Sequence, residues 1–319
     1  MNFCHVCGQN LETRFEQAMD PQTKEKFAVL SCANCGLAET HPQPDDLSKY
    51  YAEYYGGRHG FTNDYCAWRR VNFLEKSYNS DKETKRVLDV GCGDGTFLNA
   101  AKKRGWQTAG TELNAGRFKD SELEIFENLR EVKAKFGANS FDAVTMWHTL
   151  EHFKNPREVL ETAFELLTSE GVLLVAVPNA GGLQAKIFGE HWLHLDVPRH
   201  LFHFDFNSLE MLLTQTNFAV KNHWHQEFEY DLLGWSQSAL NKIFREPNVF
   251  FRSLSGHETN VNAITNTANL ALGAAFSAIA LPLNLFGTLT KKGGTLIFSA
   301  SKIGARASLP APFERSKNG

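Results

Sequence analysis

The sequence predicts an α/β protein, an open and mostly parallel sheet with helices on both faces, preceded by a small N-terminal module. Three observations carry that expectation. Residues 86–98 read as a buried strand (Val87, Leu88, Val90) entering a glycine loop (Gly91, Gly93, Gly95) and then a helix. From 86 to 179, apolar strand-like runs alternate with helical stretches, the pattern of a parallel sheet that holds ligands at the C-terminal ends of its strands. Two C-x-x-C pairs, Cys4 with Cys7 and Cys32 with Cys35, open the chain.

A chain of 319 residues with a formal net charge of −3 has ample length for a core and no global pull toward nucleic acid, so no nucleic-acid partner is expected. The first residues lack a basic stretch followed by an apolar one, so a cytoplasmic location is expected. In that compartment the six cysteines read as metal ligands, reactive thiols or small core residues rather than disulfides.

In chain order, the first module is residues 1–42. Each cysteine pair is followed by a glycine (Gly8, Gly36), which lets backbone N–H groups turn toward sulfur, and four thiolates close a tetrahedral zinc site. The pattern is that of a zinc ribbon, with a strand at 27–30. A closed four-thiolate site is structural, and the module is expected to have a core of its own, separate from that of the sheet. His5 and His41 are available as alternative ligands, but four cysteines make them unnecessary. Pro42 and Pro44 then mark a boundary. Residues 43–80 carry a tyrosine-rich stretch at 50–55 and a helix at 64–78; the tyrosines are expected either to form a lid over the ligand pocket or to pack on the sheet.

The central region, 81–227 together with 291–301, opens on the glycine loop. Its spacing is G-x-G-x-G after Asp89, which departs from the dinucleotide G-x-G-x-x-G and lacks the lysine of a P-loop. NAD and ATP are therefore not the expected ligands. The stretch resembles motif I of the class I S-adenosyl-L-methionine (SAM)-dependent methyltransferases, V-L-D-[VI]-G-C-G-x-G, at every position. The resemblance continues in order through a second strand ending in Glu112, a fourth strand at 141–147 and a fifth ending at Pro178. It implies a Rossmann-like seven-stranded sheet, parallel except for an antiparallel last strand, and SAM as the cofactor. Asp89, Gly91, Cys92, Gly93 and Gly95 would then line the cofactor; Glu112, with Leu113 beside it, lies where an acid accepts hydrogen bonds from a ribose. Glu127, Asn128 or Leu129 would border the adenine, and Trp147 is a further cofactor contact. Cys66 reads as a packing residue.

At the end of the fourth strand, His148, Glu151 and His152 bring three titratable groups to the acceptor side. Their H-x-x-E-H spacing also fits an inverted zinc-protease motif, but that needs a helix and a distant further acid. The segment resembles that of the ubiquinone-pathway O-methyltransferases, where the matching Glu-x-x-Glu-His is associated with a divalent cation; His148 replaces the first acid here, whereas hard cations want oxygen. Glu151 capping a helix with His152 packed on it is the alternative. After the fifth strand, His194, Asp196, Arg199, His200 and His203 lie in a stretch that resembles the family's W-x-x-x-D-x-P-R-H signature, a substrate-side loop, while the order of zinc ribbon, Pro-Gln-Pro, tyrosine pair and motif I is similar to a group of bacterial methyltransferases tied to surface polysaccharide or secondary-metabolite pathways. The imidazoles of the loop are candidate bases, and Arg199 a clamp for phosphate or carboxylate, unless Asp196, Arg199 and His200 only pin the loop to one another.

Residues 228–290 are an insertion before the last strand. From 260 to 290 there is no charge, and 270–289 is apolar on nearly all sides. A span would part the sixth strand from the seventh, so the expectation is a helix, bent or hairpinned near Pro282, that dips into one leaflet or covers the site, with Lys291 and Lys292 meeting anionic headgroups. A dimer interface is the other reading. Residues 302–319 look like a disordered tail. The resulting expectation is a methyltransferase acting on a small-molecule, saccharide or lipid-linked acceptor, by O-methylation, peripheral at the inner membrane face; a non-catalytic SAM-binding scaffold with a partner-docking ribbon is the alternative.

Overall fold

The protein's computed structural model describes residues 2–51, 63–78, 80, 82–259 and 261–304. Most of the tyrosine-rich stretch and most of the expected tail lie outside these residues. Three strands, β1 (Glu12–Met19), β2 (Lys26–Ser31) and β3 (Ala38–His41), lead into α1 (Ser48–Tyr51) and α2 (Asn63–Ser77). The alternating region runs β4 (Lys85–Val90), α3 (Thr96–Lys103), β5 (Trp106–Thr111), β6 (Glu124–Phe126), α4 (Leu129–Phe136), β7 (Phe141–Trp147), α5 (Pro156–Leu166) and β8 (Leu167–Pro178). It continues through α6 (Leu183–Phe188), β9 (Phe202–His203), α7 (Phe206–Gln215) and β10 (Phe218–Trp224). Then α8 (Phe228–Ile243), α9 (Val249–Leu254) and α10 (Ala263–Leu289) form the insertion, and β11 (Thr295–Lys302) closes the sheet.

The large sheet has the order β10-β11-β8-β7-β4-β5-β6. β4 to β8 are parallel, and β11 lies antiparallel between β8 and β10, as expected. β7 is buried along its whole length, its polar residues Asp142 and Thr145 included. Local signals fix the helix starts: the Asn128 side chain accepts from the N–H groups of Arg130 and Glu131, and Asp205 with Ser208 makes a capping box on α7.

The N-terminal module departs from expectation in one respect. Its strands form a second sheet, β1-β2-β3-β9, whose last strand comes from the acceptor-side loop, Ala38 pairing with His203 and Glu39 with Phe202. Cys4, Cys32, Cys35 and Leu37 belong to the same buried cluster as Leu88, Val144 and Phe298 of the large sheet. The expectation of a separate core is therefore corrected. A module this small buries too little of its own apolar surface and borrows the face of the large one.

The insertion is corrected too: α10 is one continuous helix of 27 residues with Pro282 inside it, not a hairpin. Its buried face is small and polar (Asn269, Gly273, Ala280, Asn284, Gly287), with Ser277 hydrogen-bonded to Ser236 of α8 at 2.8 Å. Any side chain at Gly273 would strike the Phe250 ring of α9. Ile279, Leu281, Leu283, Leu285, Phe286 and Leu289 face outward. This inverts the usual arrangement of a surface helix. By length and composition α10 is apolar enough to cross a membrane, with a mean hydropathy of 1.7.

Candidate active site

The cofactor half of the site is built by backbone geometry at the C-terminal ends of β4 and β5. Gly91, Gly93 and Gly95 all have positive φ (73°, 57° and 78°), a turn that residues with side chains rarely adopt. At Gly91 a Cβ would also lie 2.1 Å from the Thr149 methyl, so the loop and the end of β7 are fitted together there. Glu112 is buried and accepts from the Gly93 N–H at 3.1 Å, while Cys92 is held by the Thr111 carbonyl. Arg117 donates to the Gly93 carbonyl. Asp89, buried at the end of β4, accepts from the Thr145 hydroxyl at 2.7 Å; burial pushes its pKa up to about 7.

The acceptor half gathers side chains from distant segments. His148, itself at φ 53°, places Nε2 2.6 Å from a carboxylate oxygen of Glu227, at the junction of β10 and α8, and stacks on the Tyr230 ring at 4.2 Å. Arg70 of α2 donates to the other Glu227 oxygen at 3.0 Å, and its guanidinium lies 5.2 Å over the Trp147 ring. Burial works against the Glu227 charge, but Arg70 and His148 outweigh it and hold the carboxylate well below its ordinary range. On the other side, Glu151 is 1% exposed and, among the described residues, neither of its oxygens has a hydrogen-bond partner; His148 Nδ1 has none either. His148 Nδ1 lies 3.8 Å and His200 Nε2 3.9 Å from Glu151 Oε1. Burial raises the Glu151 pKa to about 8, which favours its neutral form near pH 7.

Four thiols cluster in the ribbon, with Cys4 Sγ 3.5 Å from Cys35 Sγ and Cys7 Sγ 3.3 Å from Cys32 Sγ. All four sulfurs lie within 4.8 Å of one another, around the roughly 3.8 Å spacing that a tetrahedron of zinc–sulfur bonds sets.

The family described as a methyltransferase domain matches residues 59–223, just over half of the chain. The chain belongs to this family. It is a class I SAM-dependent methyltransferase. Among curated proteins it is 33% identical over 106 residues to the ubiquinone biosynthesis O-methyltransferase of Psychrobacter arcticus, covering 30% of this chain and 41% of that protein. With the enzyme of the same name from Salmonella paratyphi A it shares 27% over 146 residues, 41% of this chain and 60% of that one. The match thus spans about half the length of these relatives. Phosphoethanolamine N-methyltransferase 2 of Haemonchus contortus, solved with phosphomonomethylethanolamine and S-adenosylhomocysteine, shares the fold at a TM-score of 0.50 and 16% identity, over 83% of this chain and 62% of that one.

The methyltransferase brings together most of the residues its sequence singles out, but not all. His148, Glu151, His152 and His200 converge. His152 Nδ1 lies 2.9 Å from the Arg199 carbonyl oxygen, and His200 Nδ1 2.8 Å from that of His194. His194 Nε2 faces the Tyr230 carbonyl at 3.2 Å; burial lowers its pKa to about 4, and lowers those of His152 and His200 as well. Arg199 is buried and engaged by Asp196 (2.6 Å), Asp20 of the ribbon (3.0 Å) and the Tyr50 carbonyl, the loop-pinning arrangement rather than an open clamp. Burial opposes the charge of Asp196, yet Arg199 holds its pKa at about 2. His203 Nε2 lies 3.0 Å from the Thr40 hydroxyl oxygen of the ribbon, apart from the group at Glu151. Asn128 is an N-cap, Leu129 follows it, and Leu113 is 79% exposed. Two nitrogens and one carboxylate at Glu151, His152 and His200 do not match the oxygen shell that magnesium wants. Sequence reasoning missed Arg70, Glu227 and Tyr230. Arg70 sits on an unremarkable helix face, and Glu227 is the first of three alternating acids (Glu227, Glu229, Asp231) after a strand; only tertiary packing singles it out and makes the group.

Proposed function

We propose that this methyltransferase methylates a hydroxyl oxygen of a small amphipathic or lipid-linked acceptor held between His148 and Glu151. The observation that carries the reading is the set of three buried, unpartnered polar atoms, His148 Nδ1 and both Glu151 oxygens, with His148 Nδ1 3.8 Å from Glu151 Oε1. Buried polar atoms are rarely left unpaired, and a hydroxyl fits between a ring nitrogen that accepts its proton and a neutral acid that donates to its oxygen. SAM supplies an electrophilic methyl group; as the new C–O bond forms and the C–S bond breaks, the hydroxyl proton passes to His148 Nδ1. Asp89, the loop 91–95 with Cys92, Glu112 with Leu113, and Asn128, Leu129 and Trp147 would border SAM. The names of the curated relatives favour oxygen as the acceptor atom.

Supporting the amphipathic acceptor is α10, whose outward apolar face and flanking Lys291 and Lys292 suit the headgroup boundary of an anionic membrane. The same reading puts the enzyme in the cytoplasm, peripheral to the membrane. Zinc would be held by Cys4, Cys7, Cys32 and Cys35 in a ribbon of residues 1–42, followed by a linker (43–80), a catalytic core (81–227 and 291–301) and the insertion (228–290).

The test uses methyl-labelled SAM and anionic phospholipid vesicles containing an alkyl catechol. Label should enter the catechol oxygen, and His148→Gln should lower turnover by about 10² to 10⁴ while SAM binding persists. A protein with residues 260–290 replaced by a short Gly-Ser loop should stay folded and stop sedimenting with the vesicles. Unchanged turnover in His148→Gln would end the base assignment; a shortened protein that falls from dimer to monomer, with no vesicle binding by the full chain, would make α10 an oligomer interface.

A further inference from the structure

We propose that Glu227, backed by Arg70, is a positioning residue that keeps the proton of the His148 ring on Nε2 and so leaves Nδ1 as the nitrogen free to take a proton. This rests on the proposed role of His148 as base and adds what decides which of its nitrogens does the work.

A neutral imidazole has one N–H donor and one lone-pair nitrogen, and an ionised carboxylate has no donor at all. At 2.6 Å the bond between His148 Nε2 and Glu227 therefore has one polarity only, Nε2–H donating to oxygen, provided that Glu227 is charged. Arg70 guarantees the charge. Its side chain is 18% exposed, it donates to Glu227 at 3.0 Å, and it has no means of losing its proton. With Nε2 committed, the lone pair falls on Nδ1, the atom without a partner, facing Glu151.

Three further features hold the ring in that pose. Tyr230, three residues after Glu227, stacks on the imidazole with an 8° interplanar angle, so the ring cannot rotate without losing the stack. His148 sits in the left-handed region, an uncommon place for a residue with a side chain, which aims it across the end of β7 instead of along it. Arg70 in turn lies over Trp147, the residue before His148, so α2, β7 and the β10–α8 junction meet at one buried ion pair. Glu227 contacts neither the cofactor loop nor Glu151 by any hydrogen bond among the described residues, so it acts on the chemistry through His148.

The tautomer can be read without knowing the acceptor. In ¹⁵N-labelled full-length protein saturated with S-adenosylhomocysteine, the His148 ring nitrogens are assigned by their absence in His148→Gln. The expected result is Nε2 protonated and Nδ1 bare in the parent protein, with a low-field Nε2–H proton resonance. In the isosteric Glu227→Gln variant, whose amide can either donate or accept, that resonance should disappear and both tautomers should be seen. S-adenosylhomocysteine affinity should stay within about twofold, and kcat for the alkyl catechol should fall by about 10² to 10⁴ with little change in KM for SAM. A proton on Nδ1 in the parent, which needs no variant to detect, overturns the proposal. So does an unchanged tautomer in Glu227→Gln. If instead the tautomers behave as expected but His148→Gln turns over as fast as the parent, the base assignment has failed and the hold of Glu227 on the ring stands.

Discussion

The two halves of the site are made in opposite ways. The cofactor half comes from one short run of chain, two strand ends and three glycines, and is built of backbone N–H groups and two buried acids, Asp89 and Glu112. The acceptor half is assembled from α2, the end of β7, the loop before β9 and the start of α8, and consists of buried charges that satisfy one another: Arg70 with Glu227, Glu227 with His148, Arg199 with Asp196 and Asp20. A site built of local backbone tolerates change elsewhere. A site built of distant buried ion pairs depends on every segment that contributes one.

The largest effect that would sharpen this contrast comes from the ribbon. If zinc closes the four thiolates, its removal costs on the order of 10 kcal/mol of folding free energy in that module. Because β3 pairs with β9, and Asp20 reaches Arg199, the loss should spread to the acceptor half first. Hydrogen exchange after chelation is expected to accelerate in 190–203 while 86–112 stays protected. Simultaneous loss of protection in both would mean that the shared core makes the two halves one cooperative unit.

That shared core is also where sequence reading reaches its limit. Motif I, Glu112, the strand order and the four cysteines are legible because each depends on residues near in sequence, whose spacing carries the geometry. The swap of β9 into the ribbon sheet is not legible, since a two-residue strand has no period to detect. Nor is Glu227, whose role exists only once α8 starts beside β7. The inverted face of α10 lies between these cases: its lack of charge is plain in the sequence, but which side is buried depends on Gly273 meeting Phe250.

A reciprocal pair of substitutions tests the contrast directly. Asp20→Ala leaves the buried Arg199 with one carboxylate fewer and is expected to cost about 3 to 5 kcal/mol of stability with SAM affinity unchanged. Glu112→Ala should do the reverse, weakening SAM binding by about 1.5 to 3 kcal/mol through a lost charge-assisted hydrogen bond while the melting temperature barely moves. Calorimetry and thermal unfolding on the two variants decide it; equal effects on both readouts would erase the distinction between the halves.

A last effect, read as a slope, is one of pH. Burial raises the pKa of Asp89 to about 7 and that of Glu151 to about 8, each from an ordinary carboxylate value. A carboxyl with a raised folded pKa binds more protons folded than unfolded, so the slope of unfolding free energy with pH is negative between the two values, and stability falls as pH rises through that window. Below both values the full contribution is present. The slope per group is at most about 1.4 kcal/mol per pH unit. Because the Asp89 window closes near 7 and the Glu151 window near 8, the decline between pH 7 and 8 belongs mainly to the acceptor half, joined by the buried Asp231, which is raised to about 8 at the base of α8. The buried histidines, lowered from their ordinary value, push stability the other way below about pH 6.5, so urea midpoints for the parent should fall only from pH 7 to 8; Glu151→Gln should flatten that decline, and below pH 7 Asp89→Asn should differ from the parent by a less negative slope. If Glu151→Gln leaves the slope between pH 7 and 8 untouched, Glu151 is already ionised in the folded enzyme, and it cannot donate a hydrogen bond to an acceptor oxygen.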